Sequence, residues 1–410
     1  MVELGRRSRE AGRFLARASS AARDEALTWG AELLEERAEG ILGANASDVA
    51  EAVRSGADAT SLDRLRLDSG RVTAMAQGLR KVAALPDVVG QVVDGWVRPN
   101  GLSVQRVRVP LGVVGIIYEN RPNVTSDAAG LCLKSGNAVM LRGSSSAIAT
   151  NTAVAAALRD GLVKAGLPAD AVLLVEDTSR AAAVAFMQLE GFIDCLIPRG
   201  GPSLVASVRE LATVPTVIDG AGNCHVYVDR AADLSMAESI VVNAKTQRPG
   251  VCNSAETLLV HRAVAEEFLP RMSRALTGVT LVGDDLTRSM IPGVGKATEE
   301  DFATEFLDLT LSIAVVDDLD GAIDHIARFG SGHSEAIVTG DLSAAGRFTT
   351  EVDAAAVLVN ASTRFIDGEE LGLGAEIGIS TQKLHARGPM GLAELTSVKY
   401  VVSGSGQVRS

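Results

Sequence analysis

Apolar residues recur at three- and four-residue spacing through residues 3–55, with Leu and Ala set against Arg and Glu, so the chain opens on amphipathic helices. From Leu102 the period falls to two across Val104, Arg106 and Arg108, which predicts an edge-like ribbon. The short apolar run 113–118 then predicts a buried strand. Helical and strand signals alternate beyond it: helix over 126–134, strand over 138–142, helix over 147–165, strand over 172–175, helix over 181–189 and strand over 195–197. This repeat predicts a mostly parallel sheet with helical crossovers. A second alternation begins near Tyr227 and runs to about Asn360, with strands expected over 257–261, 311–316, 336–338 and 356–359. The polar stretch after Gly283 makes 282–291 the best loop candidate, and the Gly- and Ser-rich last ten residues are expected to fray.

Length and composition narrow the class. At 410 residues the chain exceeds the roughly 250 to 300 at which a single core stops growing, so two domains are expected. With 47% hydrophobic but only 3% aromatic residues, the interior is built from Ala, Val, Leu and Ile, which suits layered α/β packing. A net charge of -12, with no Lys/Arg block interleaved with aromatics, argues against nucleic-acid binding. The cysteines at 132, 195, 224 and 252 are too scattered for a disulfide framework, and no CxxC or His/Cys cluster suggests a metal. The N-terminus resembles neither a secretory signal nor a transit peptide, and no apolar run approaches the ~18 residues that cross a bilayer. A soluble cytoplasmic enzyme is the expectation.

One cysteine stands in unusual company. Cys252 sits in Lys245-Thr-Gln-Arg-Pro-Gly-Val-Cys-Asn-Ser-Ala-Glu-Thr257, among a cation, a Pro-Gly turn and small polar residues rather than core-filling aliphatics. A free thiol with a pKa of about 8.5 is mostly protonated at neutral pH, so a nucleophilic cysteine needs a cation or aligned amides, and Arg248 and the turn are the local sources. The other reading is a buried cysteine serving as a small hydrophobe.

Three glycine patterns raise the question of nucleotide binding. Gly293-Val-Gly-Lys-Ala-Thr298 resembles the end of a phosphate loop, but Met290 occupies the place of its first glycine. Gly372-Leu-Gly-Ala-Glu-Ile-Gly378 misses the third glycine of a dinucleotide fingerprint and opens no convincing helix. Pro198-Arg-Gly-Gly-Pro-Ser203 follows a strand and opens a helix over 204–211, so Gly200, Gly201 and Ser203 are candidates to cradle phosphate at a helix N-terminus. An ordinary strand-to-helix loop is the alternative.

Four segments resemble the gamma-glutamyl phosphate reductase family of the aldehyde dehydrogenase superfamily: the Cys252 run, Tyr118-Glu-Asn-Arg-Pro-Asn-Val-Thr125, Gly222-Asn-Cys-His-Val-Tyr-Val-Asp229, and Asn360-Ala-Ser-Thr-Arg-Phe through Ile379-Ser-Thr-Gln-Lys-Leu-His-Ala-Arg-Gly-Pro-Met390. The resemblance runs from about residue 5 to 403. It implies an α/β aldehyde dehydrogenase-like fold: two Rossmann-like α/β domains plus a β-ribbon oligomerisation element. Residues 1–229 would form a cofactor-binding domain, interrupted near 98–109 and rejoined by 360–382. Residues 230–359 would form the catalytic domain, with 98–109 and 383–410 as oligomerisation ribbon and tail.

The chemistry the resemblance implies is reduction of L-glutamate 5-phosphate to glutamate 5-semialdehyde with NADPH, through a thioester on Cys252, the second step of proline biosynthesis from glutamate. Asn120 would be the oxyanion donor with the Cys252 backbone N–H as its partner, although an asparagine ahead of Arg121-Pro122 also suits a turn. Arg142 and Ser145 would face the adenosine ribose, and a serine where NAD-preferring relatives carry a glutamate favours NADP(H). Glu305 would hold the nicotinamide ribose, or be an exposed helical glutamate. Arg121, Asn223, Asn360, Arg364, Lys383 and Arg387 are the implied substrate-binding residues; His225 and His385 are as readily structural. Hydrolytic relatives carry a water-activating glutamate upstream of the cysteine, where this chain has Asp219, a shorter acid. A homodimer or homotetramer and association with glutamate 5-kinase complete the implied partners. A CoA-acylating relative and a non-catalytic nucleotide-binding scaffold are the alternatives, and the intact nucleophile segment argues against the scaffold.

Overall fold

The computed structural model describes residues 1–409, so Ser410, the last residue of the expected tail, lies outside the described residues. Two compact units form, one from Met1–Ile218, Leu373–Gly378 and Met390–Ser410, the other from Asp219–Gly372 and Ile379–Pro389.

The first unit opens on the expected helices, Val2–Leu15, Ser20–Glu36 and Ala38–Arg54, followed by Ala59–Leu65 and Ser69–Ala84. Polar side chains start them: Ser19 accepts from the Ala22 N–H and Asp68 from the Arg71 N–H, occupying donors that the first turn leaves open. Next comes a ribbon in which β1 (Val92–Val97) and the chain-terminal strand β16 (Thr396–Ser403) pair antiparallel with opposite edges of β2 (Ser103–Pro110). The expectation of a fraying tail is therefore corrected at its start: Val401, Val402 and Ser403 pair with Gln105, Val104 and Ser103.

Behind the ribbon lies a four-stranded parallel sheet in the order β5-β4-β3-β6, from β3 (Val113–Tyr118), β4 (Ala138–Arg142), β5 (Val172–Leu174) and β6 (Cys195–Arg199). Every residue of β3 is buried, as its unbroken apolar run predicts for a strand covered on both faces. Two cations lie inside this unit. The Lys134 ammonium donates to Asp24 at 2.6 Å and to the Ala83 carbonyl at 2.8 Å. The Arg23 guanidinium reaches the Lys134 carbonyl at 2.9 Å and Asp87 at 2.7 Å.

The second unit is a seven-stranded parallel sheet in the order β10-β9-β11-β8-β7-β12-β13. Its strands are β7 (Cys224–Val228), β8 (Ala255–His261), β9 (Thr280–Gly283), β10 (Gly295–Lys296), β11 (Thr310–Val316), β12 (Ser334–Val338) and β13 (Ala356–Val359). Strand alternation sorts two cores onto its faces: Val226, Val228, Leu258 and Val260 join one, Tyr227, Leu259, Ala314 and Ile337 the other. The short strands β14 (Ile379–Ser380) and β15 (Gly388–Pro389) pair antiparallel in the same unit.

Three expectations change. Residues 282–291 are not a loop: β9 runs into the helix Asp285–Met290, which Asp284 caps by accepting from the Thr287 N–H. Residues 219–229 belong to the second unit, because β7 pairs with β8 and β12. Of 360–382, only Leu373–Gly378 joins the first unit, and 383–389 stays with the second, where β15 completes the pair with β14.

Replacing Lys134 by Met should destabilise the first unit by about 3 kcal/mol, because it strips a desolvated cation from Asp24 and leaves the Ala83 carbonyl without its donor. Urea unfolding of the two proteins checks it, and an unchanged midpoint would contradict the ledger given to this pair.

Candidate active site

Cys252 occupies the turn joining the helix Leu234–Thr246 to β8. It is half-buried, whereas Cys132, Cys195 and Cys224 are buried and burial pushes each of their thiols up. Cys252 is thus the cysteine of the four with solvent access, while part of its side chain packs on the core. The backbone around it is pinned from several directions. Asn253 donates to the Ile366 carbonyl at 2.8 Å, Thr363 donates to the Asn253 carbonyl at 2.7 Å, and the Ser254 hydroxyl donates to the Ala244 carbonyl at 3.1 Å. The Cys224 thiol donates to the Cys252 carbonyl at 3.2 Å. Gly222 lies against the same carbonyl so closely that a Cβ there would overlap it, which explains the glycine.

Beneath the turn, Lys245 and Glu256 form a fully buried ion pair at 2.5 Å. Burial pushes the Glu256 carboxyl up to about 7 against the pull of Lys245, and the Leu307 N–H also donates to it. Glu305 follows the helix Glu299–Phe302 rather than riding exposed on it, and its carboxylate accepts from the Gly222 N–H at 2.7 Å. Burial raises its pKa, and the charge of Asp219 adds to the rise. Asp219 accepts from the Ile379 N–H at 2.8 Å, so its carboxylate braces the chain's return at β14.

Among the implied substrate residues of this unit, Arg364 has the most suggestive surroundings. Its Nε donates to Gln247 at 2.8 Å. Burial, then the charge of Arg248, lowers its pKa, while Asp367 and Cys252 oppose the fall, so the guanidinium lies within electrostatic reach of the thiol. Lys383 and Arg387 are exposed and both pair with Asp353, Arg387 at 2.7 Å. Asn223 spends its carboxamide donors on the Phe302 and Phe329 carbonyls at 2.8 and 2.7 Å, while its Oδ1 is buried with no hydrogen-bond partner among the described residues. Asn360, in the left-handed region at φ 56, exchanges two hydrogen bonds with the Thr339 backbone.

In the first unit Asn120 lies two residues beyond β3 at φ 40, a conformation asparagine tolerates better than most residues. Ser144 donates to its Oδ1 at 3.0 Å, and Ser146 donates to the same oxygen. Two hydroxyl donors on one oxygen fix which end of the carboxamide is the acceptor and hold its orientation. Sequence reasoning missed these two hydroxyls; a run of three serines after a parallel strand was the available signal. Arg121 sits immediately before the helix Asn123–Lys134.

Arg142 closes β4 with Nη2 on the Thr178 carbonyl at 2.6 Å, and its Nε is buried without an acceptor. Ser145 is exposed in the turn Ser145–Ala147. The phosphate expected at Gly200, Gly201 and Ser203 meets a different occupant: the Glu119 carboxylate accepts from the Gly201 N–H at 2.8 Å and fills the space a Gly200 side chain would need. An anion of the protein already caps that helix.

Residues 5–294 match the aldehyde dehydrogenase family. A gamma-glutamyl phosphate reductase from Caldanaerobacter subterraneus is 54% identical over 98% of each chain, and one from Thermobifida fusca is 55% identical over 99% of this chain and 98% of its own. The crystal structure of gamma-glutamyl phosphate reductase from Thermotoga maritima superposes with a TM-score of 0.98 at 48% identity, covering 100% of this chain and 99% of that one. The chain is therefore an oxidoreductase of the aldehyde dehydrogenase family and belongs to its gamma-glutamyl phosphate reductase branch.

Proposed function

We propose that the enzyme reduces L-glutamate 5-phosphate to L-glutamate 5-semialdehyde with release of inorganic phosphate, the second step of proline biosynthesis from glutamate. The observation that carries the reading is the half-exposed, backbone-pinned Cys252 with Arg364 in electrostatic reach, in a chain 54% identical to a gamma-glutamyl phosphate reductase across its length.

The thiolate of Cys252 attacks the acyl carbon, the C–S bond forms, and the C–O bond to phosphate breaks with its electron pair leaving on phosphate. Asn120 Nδ2 and the Cys252 N–H receive the oxyanion that develops on the carbonyl oxygen. NADPH, when bound, supplies the hydride that takes the acyl group to the aldehyde level. Arg142 and Ser145 hold its ribose phosphate, and Glu305 its other ribose. Arg121, Arg364, Lys383 and Arg387 are the cations that meet the charges of the substrate. Asp219, engaged by the Ile379 N–H, is a poor base for water, which suits an enzyme that must keep its thioester from hydrolysing.

The ribbon is the assembly surface of a homodimer or homotetramer: Val97, Tyr400 and Val402 are exposed on its outer strands, and an edge of that composition calls for a partner. The reaction belongs in the cytoplasm, where glutamate 5-kinase would supply the acyl phosphate.

In the reverse assay, NADP reduction from glutamate 5-semialdehyde should require inorganic phosphate, and Cys252→Ser should lower turnover by about 10³-fold or more. Turnover that ignores phosphate, or that uses CoA in its place, would overturn the substrate assignment. Replacing Ser144 and Ser146 together by Ala should lower kcat by about 10- to 100-fold with KM little changed, because the Asn120 carboxamide loses its orientation while substrate binding does not. A change confined to KM would contradict that role.

A further inference from the structure

On the face of the second sheet that packs Tyr227, Leu259, Ala314 and Ile337, two positions break the apolar pattern. His225 lies two residues before Tyr227 on β7 and Glu335 two before Ile337 on β12, so strand alternation puts both on that face. The two are cross-strand partners, and neither side chain touches solvent. Glu335 Oε2 accepts from the His225 backbone N–H at 2.8 Å and lies 2.9 Å from the ring Nδ1. Its other oxygen, Oε1, is buried with no hydrogen-bond partner among the described residues. What the fold draws from Glu335 is therefore one acceptor placed to meet two groups of one residue. A well-packed apolar pair of similar size often stabilises a core as well as a buried ionisable pair or better, so packing alone does not call for these side chains.

The pair stands where β7 and β8 slip by one residue. Cys224 is opposite Ala255 and His225 opposite Thr257, so Glu256 is the extra residue on β8. Such bulges bend a strand and re-aim its neighbours beside active sites. The strip of chain just ahead of His225 lies against the turn that carries Cys252. The Cys224 thiol donates to the Cys252 carbonyl at 3.2 Å, and a Cβ on Gly222 would come within 2.6 Å of the Cys252 Cα. Each backbone N–H of the strip is taken: that of Gly222 by Glu305 at 2.7 Å, of Asn223 by the Ser331 hydroxyl at 3.0 Å, of Cys224 by the Gly222 carbonyl at 3.0 Å and of His225 by Glu335.

We propose that Glu335 is a positioning residue for Cys252: through His225 it fixes Cys224, whose thiol in turn holds the Cys252 carbonyl. The Lys245–Glu256 pair closes the reactive turn along the chain, and the Glu335–His225 pair braces it from the neighbouring strands. One peptide bond separates His225 from Cys224, so a shift of the histidine passes directly to the residue touching the nucleophile's backbone.

This proposal rests on Cys252 being the nucleophile of the reaction above, and turnover and labelling test the two separately. Glu335→Ala should lower kcat of the phosphate-dependent reverse reaction by about 10- to 100-fold with KM little changed, because the nucleophile is misplaced while the binding groups are not. Glu335→Gln keeps an acceptor oxygen and drops the charge, and should restore most of kcat. Glu335→Asp keeps the charge but is one methylene short; it should resemble the alanine variant and replaces it where that variant does not fold. Site-resolved iodoacetamide labelling needs no substrate. In the parent, half-buried Cys252 should be labelled and the three buried cysteines protected. In the alanine and aspartate variants Cys224 should react about 10-fold faster or more, while Cys132 and Cys195 in the other unit stay protected, because the release is local. Parent-like kcat with Cys224 still protected, a glutamine variant that rescues nothing, or simultaneous labelling of all three buried cysteines overturns the proposal. If the parent shows no phosphate-dependent turnover, the substrate reading fails, and the labelling pattern alone decides the brace.

Discussion

The ion pair between Lys245 and Glu256, fully buried at 2.5 Å, is the constraint on which the reactive turn depends. Lys245 lies near the end of the helix Leu234–Thr246 and Glu256 near the start of β8, so the pair fixes the two ends of the segment that carries Cys252. Losing one partner would strand a charge in the interior, so the closure is held firmly. Within it the hydrogen bonds of Asn253, Ser254 and Thr363 set the backbone, and Gly222 gives the Cys252 carbonyl room to approach. A nucleophile needs this stiffness, because small displacements of the reacting atom cost rate steeply.

The acids of the molecule divide by task. Asp219 braces Ile379, Glu305 takes the Gly222 N–H, and Glu119 caps the helix that follows Gly201. Each of these three carboxylates thus accepts from a backbone amide.

Much of the architecture was legible because parallel strands covered on both faces are written as unbroken apolar runs. The run 113–118 coincides with β3, buried at every residue, while 356–359 coincides with β13, a partly exposed edge strand. The misreadings have the opposite cause. β9 spans only Thr280–Gly283 and is partly exposed, and the six-residue helix after it is polar outside, so together they read as a loop. β1 is exposed at every residue and carries no burial signal of its own. At the site, the small polar neighbours of Cys252 in sequence agree with its being the half-buried cysteine of the four. The backbone contacts of Asn223 and Asn360 were not legible, because their partners Phe302, Phe329 and Thr339 lie far along the chain. The hydroxyls of Ser144 and Ser146 were hidden for a related reason: their target, Asn120, lies more than twenty residues away along the chain.

The central claim is that the sulfur of Cys252 carries the acyl group between loss of phosphate and reduction. Mass spectrometry of the enzyme mixed with freshly generated glutamate 5-phosphate, without nicotinamide cofactor, tests it most directly. The account predicts a glutamyl adduct on the peptide containing Cys252, discharged when NADPH is added. An unmodified Cys252 in an enzyme that nevertheless turns over once cofactor is supplied would contradict it.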